Sequence, residues 1–309
     1  DIDTQSDTSN LDDESVTIVD GGGDNRFEID TEIVKVTLLD GNNKVSIDDA
    51  ESIVISAGNG DNLLEMDDGS QVSITVGDGN NRMEINADAF GDEGYVPDSI
   101  DYPNEVTINA GDGQNDIDII VNSNIGVVNV NAGDGGNDID AVGHEINIET
   151  GSEADTVKAK ADIFKINSGG GGDTITVTGF DYDYVGTDEL GGNNPDIQNP
   201  EYEQWGDDGA LIQIDTGAGS ATVKLGSNSD DYVAQEDNDF PGWGSLTAHE
   251  GSFITGEDVT LFVNTVADLR AAELTNVNKV VFDDDAFDIF DAPVANDAEG
   301  GINAAVLTL

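Results

Sequence analysis

Cysteine is absent from the 309 residues, which excludes disulfides and thiolate metal sites as sources of stability. Histidine is reduced to His144 and His249, and no Ser/His/Asp spacing stands out, so the inventory for nucleophilic or imidazole catalysis is missing and the chain is not expected to be an enzyme. Basic residues number 10 against 66 acidic ones, a formal charge of −56 that excludes nucleic acid as a natural partner. No apolar run approaches the roughly 20 residues that a membrane-spanning helix needs. Proline occurs only 6 times and aromatic residues make up 6 % of the chain, so stability has to come from aliphatic stacking and, given the acids, from screening cations.

Glycine, by contrast, occurs 38 times, and the larger aliphatics are mostly Val and Ile, a composition for strands and tight turns. A Gly-Asp-Gly-x-Asn turn recurs, most clearly at Gly77-Asp78-Gly79-Asn80-Asn81, with Val72/Ile74/Val76 before it and Met83/Ile85 after it. Equivalent turns begin near Gly21, Leu39, Gly58, Gly111, Gly133, Gly151, Gly169 and Gly217, mostly 18 or 19 residues apart. Alternation of period two on both sides of each turn predicts two short strands per coil, each burying one face. No coil buries its apolar face alone, so neighbours must stack in parallel. The expected fold is all-β: a right-handed parallel β-solenoid or β-roll with two strands per 18–22-residue coil, over residues 16–233. A polar leader is expected over 1–15 and an irregular β-rich cap or assembly segment over 234–309, with a short helical stretch through Leu269 and Leu274. Stacking converts Asn25, Asn43, Asn62, Asn81, Asn115 and Asn137 into an inward ladder of amides, and sets Lys158 beside Asp140 as an ion pair.

These turns resemble the Gly-rich nonapeptide G-G-x-G-x-D-x-U-x of the repeats-in-toxin family of calcium-binding β-roll proteins, and Ser168 to Thr176 fits it nearly throughout. The resemblance covers residues 16–233 as a frame and implies Ca²⁺ as cofactor, held at Asp155, Asp173 and Asp230, with Asp78, Asp112 and Asp134 at the turn tips as further ligands. Six of nine turns carry Asn where that family has its ligating Asp, and a neutral amide offers one oxygen without charge. The segment ELTNVNKVVFDDD is also similar to stretches of secreted surface-layer proteins.

Two insertions, 86–105 and 178–211, leave from the edge opposite the Gly turns. The second carries Tyr182, Tyr184, Tyr202 and Trp205, candidate contacts for a sugar or a protein partner. The apolar end Ala304 to Leu309 is suited to strand pairing within the chain or with a neighbour. Together these features point to a secreted, calcium-associated structural protein at the cell surface that assembles with copies of itself through solenoid ends and terminal strand. An adhesin, a virion fibre or decoration protein, or a carbohydrate-binding module is the alternative, ahead of a polysaccharide-active enzyme.

Overall fold

The computed structural model describes residues 2–4, 15–67, 69–88, 104–122, 126–179, 210–226, 245–263, 266–282 and 306–308. Every strand pairing is parallel, and no helix occurs among the described residues. The chain passes back and forth between two sheets. Strands that enter the Gly turns form an eleven-stranded sheet: Ser15–Val19, Ile33–Thr37, Ser52–Ala57, Gln71–Val76, Glu105–Ala110, Val127–Ala132, Glu145–Glu149, Ile163–Asn167, Leu211–Asp215, Phe253–Thr255 and Glu273–Leu274. Strands that leave the turns form a thirteen-stranded sheet that begins with Ile2–Thr4 and Arg26–Asp30 and ends with Asp258–Val263 and Val277–Phe282. Each sheet follows chain order, one strand per coil, as a parallel β-solenoid requires.

Alternation along each strand explains the core. Val72, Ile74 and Val76 are buried between exposed Gln71, Ser73 and Thr75, and their register partners Val106, Ile108 and Ala110 are buried in the next coil. On the opposite sheet Met83, Ile117, Ile139, Val157 and Ile175 form a buried column. The register runs without slip from Gln71–Val76 to Glu105–Ala110 across the first insertion, and from Ile163–Asn167 to Leu211–Asp215 across the second. Each insertion joins the end of a turn-exit strand to the start of a turn-entry strand, four coil steps apart, at the edge opposite the glycines. Tyr182, Tyr184, Tyr202, Trp205 and Asp230 lie outside the described residues.

The stack extends further than the boundary expected at 233. Phe253–Thr255 with Asp258–Val263, and Glu273–Leu274 with Val277–Phe282, add two more coils. The helix expected through Leu269 and Leu274 does not form. Glu273 and Thr275 donate their backbone N–H groups to Ser252 and Ile254 of the preceding coil, at 2.9 and 3.0 Å, instead of to their own turn. The leader contributes Ile2–Thr4, in register with Phe27 to Ile29. The terminal strand Val306–Thr308 pairs within its own chain, against Val266–Asp268 in a separate three-stranded sheet.

The second glycine of the Gly-x-Gly tip is obligatory for two reasons. Gly79 and Gly113 have φ of 144° and 134°, outside the range of ordinary L side chains. A Cβ on Gly113 would also lie 2.1 Å from the carbonyl oxygen of Gly79 in the coil before it. Gly113→Ala is therefore expected to destabilise the fold by about 3 kcal/mol or more, whereas Gly21→Ala, whose Cβ would meet nothing within 4 Å, stays within about 1 kcal/mol. Urea unfolding followed by circular dichroism reads both.

Candidate functional site

The Gly-turn edge concentrates the polar chemistry of the interior. Asn43, Asn62, Asn81, Asn115 and Asn137 are all buried at the inside of successive turns. Each amide nitrogen donates to the side-chain oxygen of the next coil: Asn25 to Asn43, Asn43 to Asn62, Asn62 to Asn81 and Asn81 to Asn115 at 2.9 Å, and Asn115 to Asn137 at 2.8 Å. The same nitrogens donate to carbonyls of their own turns, as from Asn43 to Gly41 and from Asn62 to Gly60, both at 3.0 Å. An amide suits this position because it donates on one side and accepts on the other, so one residue type repeats along the axis without leaving a buried polar atom orphaned. All six expected ladder residues are brought together.

Two further ladders run along the tip itself. The carboxylates of Asp40, Asp78, Asp112 and Asp134, with the amide of Asn59 among them, each accept the backbone N–H of the equivalent residue one coil on, at 2.8–3.0 Å. Asp24, Asn42, Asp61 and Asn80 do the same two residues later in the turn, at 2.9–3.1 Å. Asp78, Asp112 and Asp134 therefore each spend Oδ1 on the neighbouring coil and stand exposed at the tip. Sequence reasoning did not identify these ladders. Their signal is the near restriction to Asp and Asn at the two variable positions of Gly-x-Gly-x-Asn, side chains short enough to reach a backbone N–H one strand spacing away.

The inner column changes character at Asp155 and Asp173, both buried in adjacent coils. Asn137 donates to Asp155 Oδ1 from its side chain at 2.9 Å and from its backbone at 2.8 Å. Asp155 N–H donates to Asp173 Oδ1 at 3.0 Å, and the Ser168 hydroxyl donates to Asp173 Oδ2 at 2.7 Å. Asp155 Oδ2 and the Thr150 hydroxyl oxygen are both buried and make no hydrogen bond of good geometry, although Thr150 lies close enough to Asp155 to act on its carboxylate. Burial raises the Asp155 pKa and the Asp173 carboxylate adds to that, while hydrogen bonds from Asn137 and the Thr150 hydroxyl oppose it. Where six coils carry an NH₂, this one presents oxygen to oxygen. Such a donor set suits a hard cation, which Asp155, Asp173 and Thr150 would hold with turn carbonyls or water completing the shell. Among the described residues no group of three or more His, Cys, Asp or Glu converges on a metal position.

Outside the core, the turn-exit sheet carries Glu65, Glu84, Asp118 and Asp140 on adjacent strands in one outward column. Lys44 bonds Glu65 at 2.8 Å, and Lys158 bonds Asp140 at 3.3 Å, the ion pair expected from stacking. Asp118, between them, has its pKa raised by partial burial first and then by Asp140, Glu84 and Asp116. Comparison with protein families, with curated proteins and with solved structures found no match.

Asp155→Asn restores the donor found in the preceding coils and, in chelator at neutral pH, is expected to stabilise the protein by about 1–3 kcal/mol, while Asn81→Ala destabilises it by a similar amount. Thermal unfolding measures both. Asp118 gives a pH signature. Its raised folded-state pKa means that the native protein binds more protons than the unfolded chain just above the ordinary Asp value of 3.8, so stability falls as pH rises through that window. Asp118→Asn is expected to melt higher than the parent at pH 7 in low salt, with the gap narrowing in 1 M NaCl and vanishing below the ordinary value. Equal melting temperatures at pH 7 in low salt would count against carboxylate repulsion in this column.

Proposed function

We propose that this is a secreted, calcium-associated structural protein that assembles end to end through its solenoid. The observation that carries the reading is the state of the last described coil. Leu261 and Val263 are fully buried, but their register partners Val280 and Phe282, next in the same inward column, are 38 % and 51 % exposed. Stacking one more coil there would cover apolar surface and satisfy an open strand edge in a single step. The terminal strand Val306–Thr308 pairs within its own chain, which favours the solenoid end over that strand as the assembly surface. Calcium enters the reading by the two buried carboxylates Asp155 and Asp173 in adjacent coils and by the charge of −56, which opposes association of like copies until cations screen it. A surface exposed to millimolar divalent cation is the setting this chemistry suits.

Light scattering and electron microscopy during a calcium titration test the proposal. Calcium is expected to drive growth into filaments or sheets in the parent protein and not in Phe282→Asp. It is also expected to raise the melting temperature of the parent more than that of Asp155→Asn. A parent that stays monomeric across millimolar calcium overturns assembly, and equal calcium responses in parent and Asp155→Asn overturn the ion site.

A further inference from the structure

The outer faces of the two sheets differ in kind. The turn-exit face carries the stacked carboxylates, whereas the turn-entry face carries amides. Six adjacent strands, from Glu105–Ala110 to Phe253–Thr255, line a groove of about 410 Å³ on that face. Thr107, Asn129 and Asn147 succeed one another in one outward column, and Asn109 and Asn131 are neighbours in the column beside it. With strands spaced about 4.8 Å apart, the groove runs for on the order of 24 Å along the axis.

We propose that this groove binds an extended, neutral polysaccharide lying along the solenoid axis. Amide side chains donate and accept together, and so match the paired hydroxyls of a sugar better than any charged group does. Asn147 donates to the Asn129 oxygen at 2.9 Å, and Asn129 donates to Glu105 at 3.1 Å, which holds part of the array in place before a ligand arrives. Asn109 and Asn131 are exposed, and their side chains are engaged by no hydrogen bond among the described residues, leaving both amides for a ligand. Phe253 closes one end of the lining with a ring on which a pyranose can stack. Coils from Glu105–Ala110 to Glu145–Glu149 present Thr107, Asn129 and Asn147 in succession, at a spacing close to the length of one sugar unit.

Charge and backbone chemistry select against other occupants. Lys165 is held by Glu145 at 2.6 Å, and the lining acids Glu149 and Asp215 add to a chain already at −56, so anionic glycans and nucleic acids are repelled. A peptide added as a strand needs a free sheet edge, and the backbone here is already paired on both sides within the sheet. Glu149 and Lys165 interrupt the amide columns, which removes the flat, uniform lattice that an ordered ice or mineral face would need. The inference is independent of end-to-end assembly, which uses a different surface.

Affinity electrophoresis in gels containing a soluble neutral β-glucan or galactomannan, with pull-down on insoluble cellulose and chitin, tests it, and polygalacturonate serves as the anionic comparison. The parent is expected to be retained by at least one neutral glycan, with retention unchanged in 0.5 M NaCl. The double variant Asn109→Ala/Asn131→Ala, which removes no bond of the fold, is expected to lose about tenfold in affinity at an unchanged melting temperature. Thr176→Ala on the opposite face keeps parental binding. No retention by any neutral glycan, retention by polygalacturonate alone, or equal binding by the double variant each overturns the proposal.

Discussion

In-register stacking places every side chain about one strand spacing from its own equivalent in the next coil, and so turns each choice of residue into a choice of column. Apolar residues gain from this rule, because like packs well on like: the column from Met83 through Ile117, Ile139 and Val157 to Ile175 is buried throughout. Charged residues suffer from it, because a carboxylate set over a carboxylate repels and, when buried, also loses its water. Asparagine escapes the conflict. Its amide is a donor toward one neighbour and an acceptor toward the other, and the chain of bonds from Asn25 to Asn137 is the one polar arrangement that repeats inside the turn at no electrostatic cost.

The same constraint sorts the acids. At the tips, Asp78, Asp112 and Asp134 are tolerated because water reaches them and one oxygen of each is bonded to the N–H of the next coil. On the turn-exit face the column from Glu65 to Asp140 has Lys44 and Lys158 bonded at its two ends, with the raised pKa of Asp118 marking the strain left in the middle. Among the described residues only Asp155 and Asp173 break the rule by standing buried in register, and the Oδ2 of Asp155, without a hydrogen bond of good geometry, is the physical trace of that exception. The ion chemistry of the molecule is thus expected at a single discontinuity in an otherwise neutral ladder, a different distribution from one ion per coil.

How much of this could be read from the chain depended on whether a residue's role was set by its own column. The core alternation, the Asn ladder and the Lys158–Asp140 pair follow from period and register, and the structure places them as expected. The last coils were harder, since Phe253–Thr255 and Glu273–Leu274 keep only short paired segments, and Leu269 and Leu274 sit at a spacing that also suits a helix. The hydrogen bonds to Ser252 and Ile254 that decide between the two come from another coil and leave no local mark. The state of Asp155 Oδ2 was equally hidden. Its significance depends on where Thr150 lies and on Ser168 donating to Asp173 instead, which is geometry rather than pattern.

Direction is the remaining consequence of the ladder. Every amide from Asn25 to Asn137 donates toward the C-terminal end, so the two ends of the stack are chemically different: one starts at an amide and the other passes through the two aspartates to Ala221 and then Val259 in the same column. The strands are parallel as well, so Ile2–Thr4 and Val277–Phe282, the first and last strands of the turn-exit sheet, present opposite edges of like strands. Two identical ends cannot meet by such pairing, because that would join edges of the same kind in antiparallel fashion and break the columns. Association that preserves the columns has to be head to tail, and a head-to-tail contact between identical copies propagates unless it closes into a ring. Under the proposed end-to-end assembly, the polarity set by one repeated amide is therefore what the contact between copies would have to match.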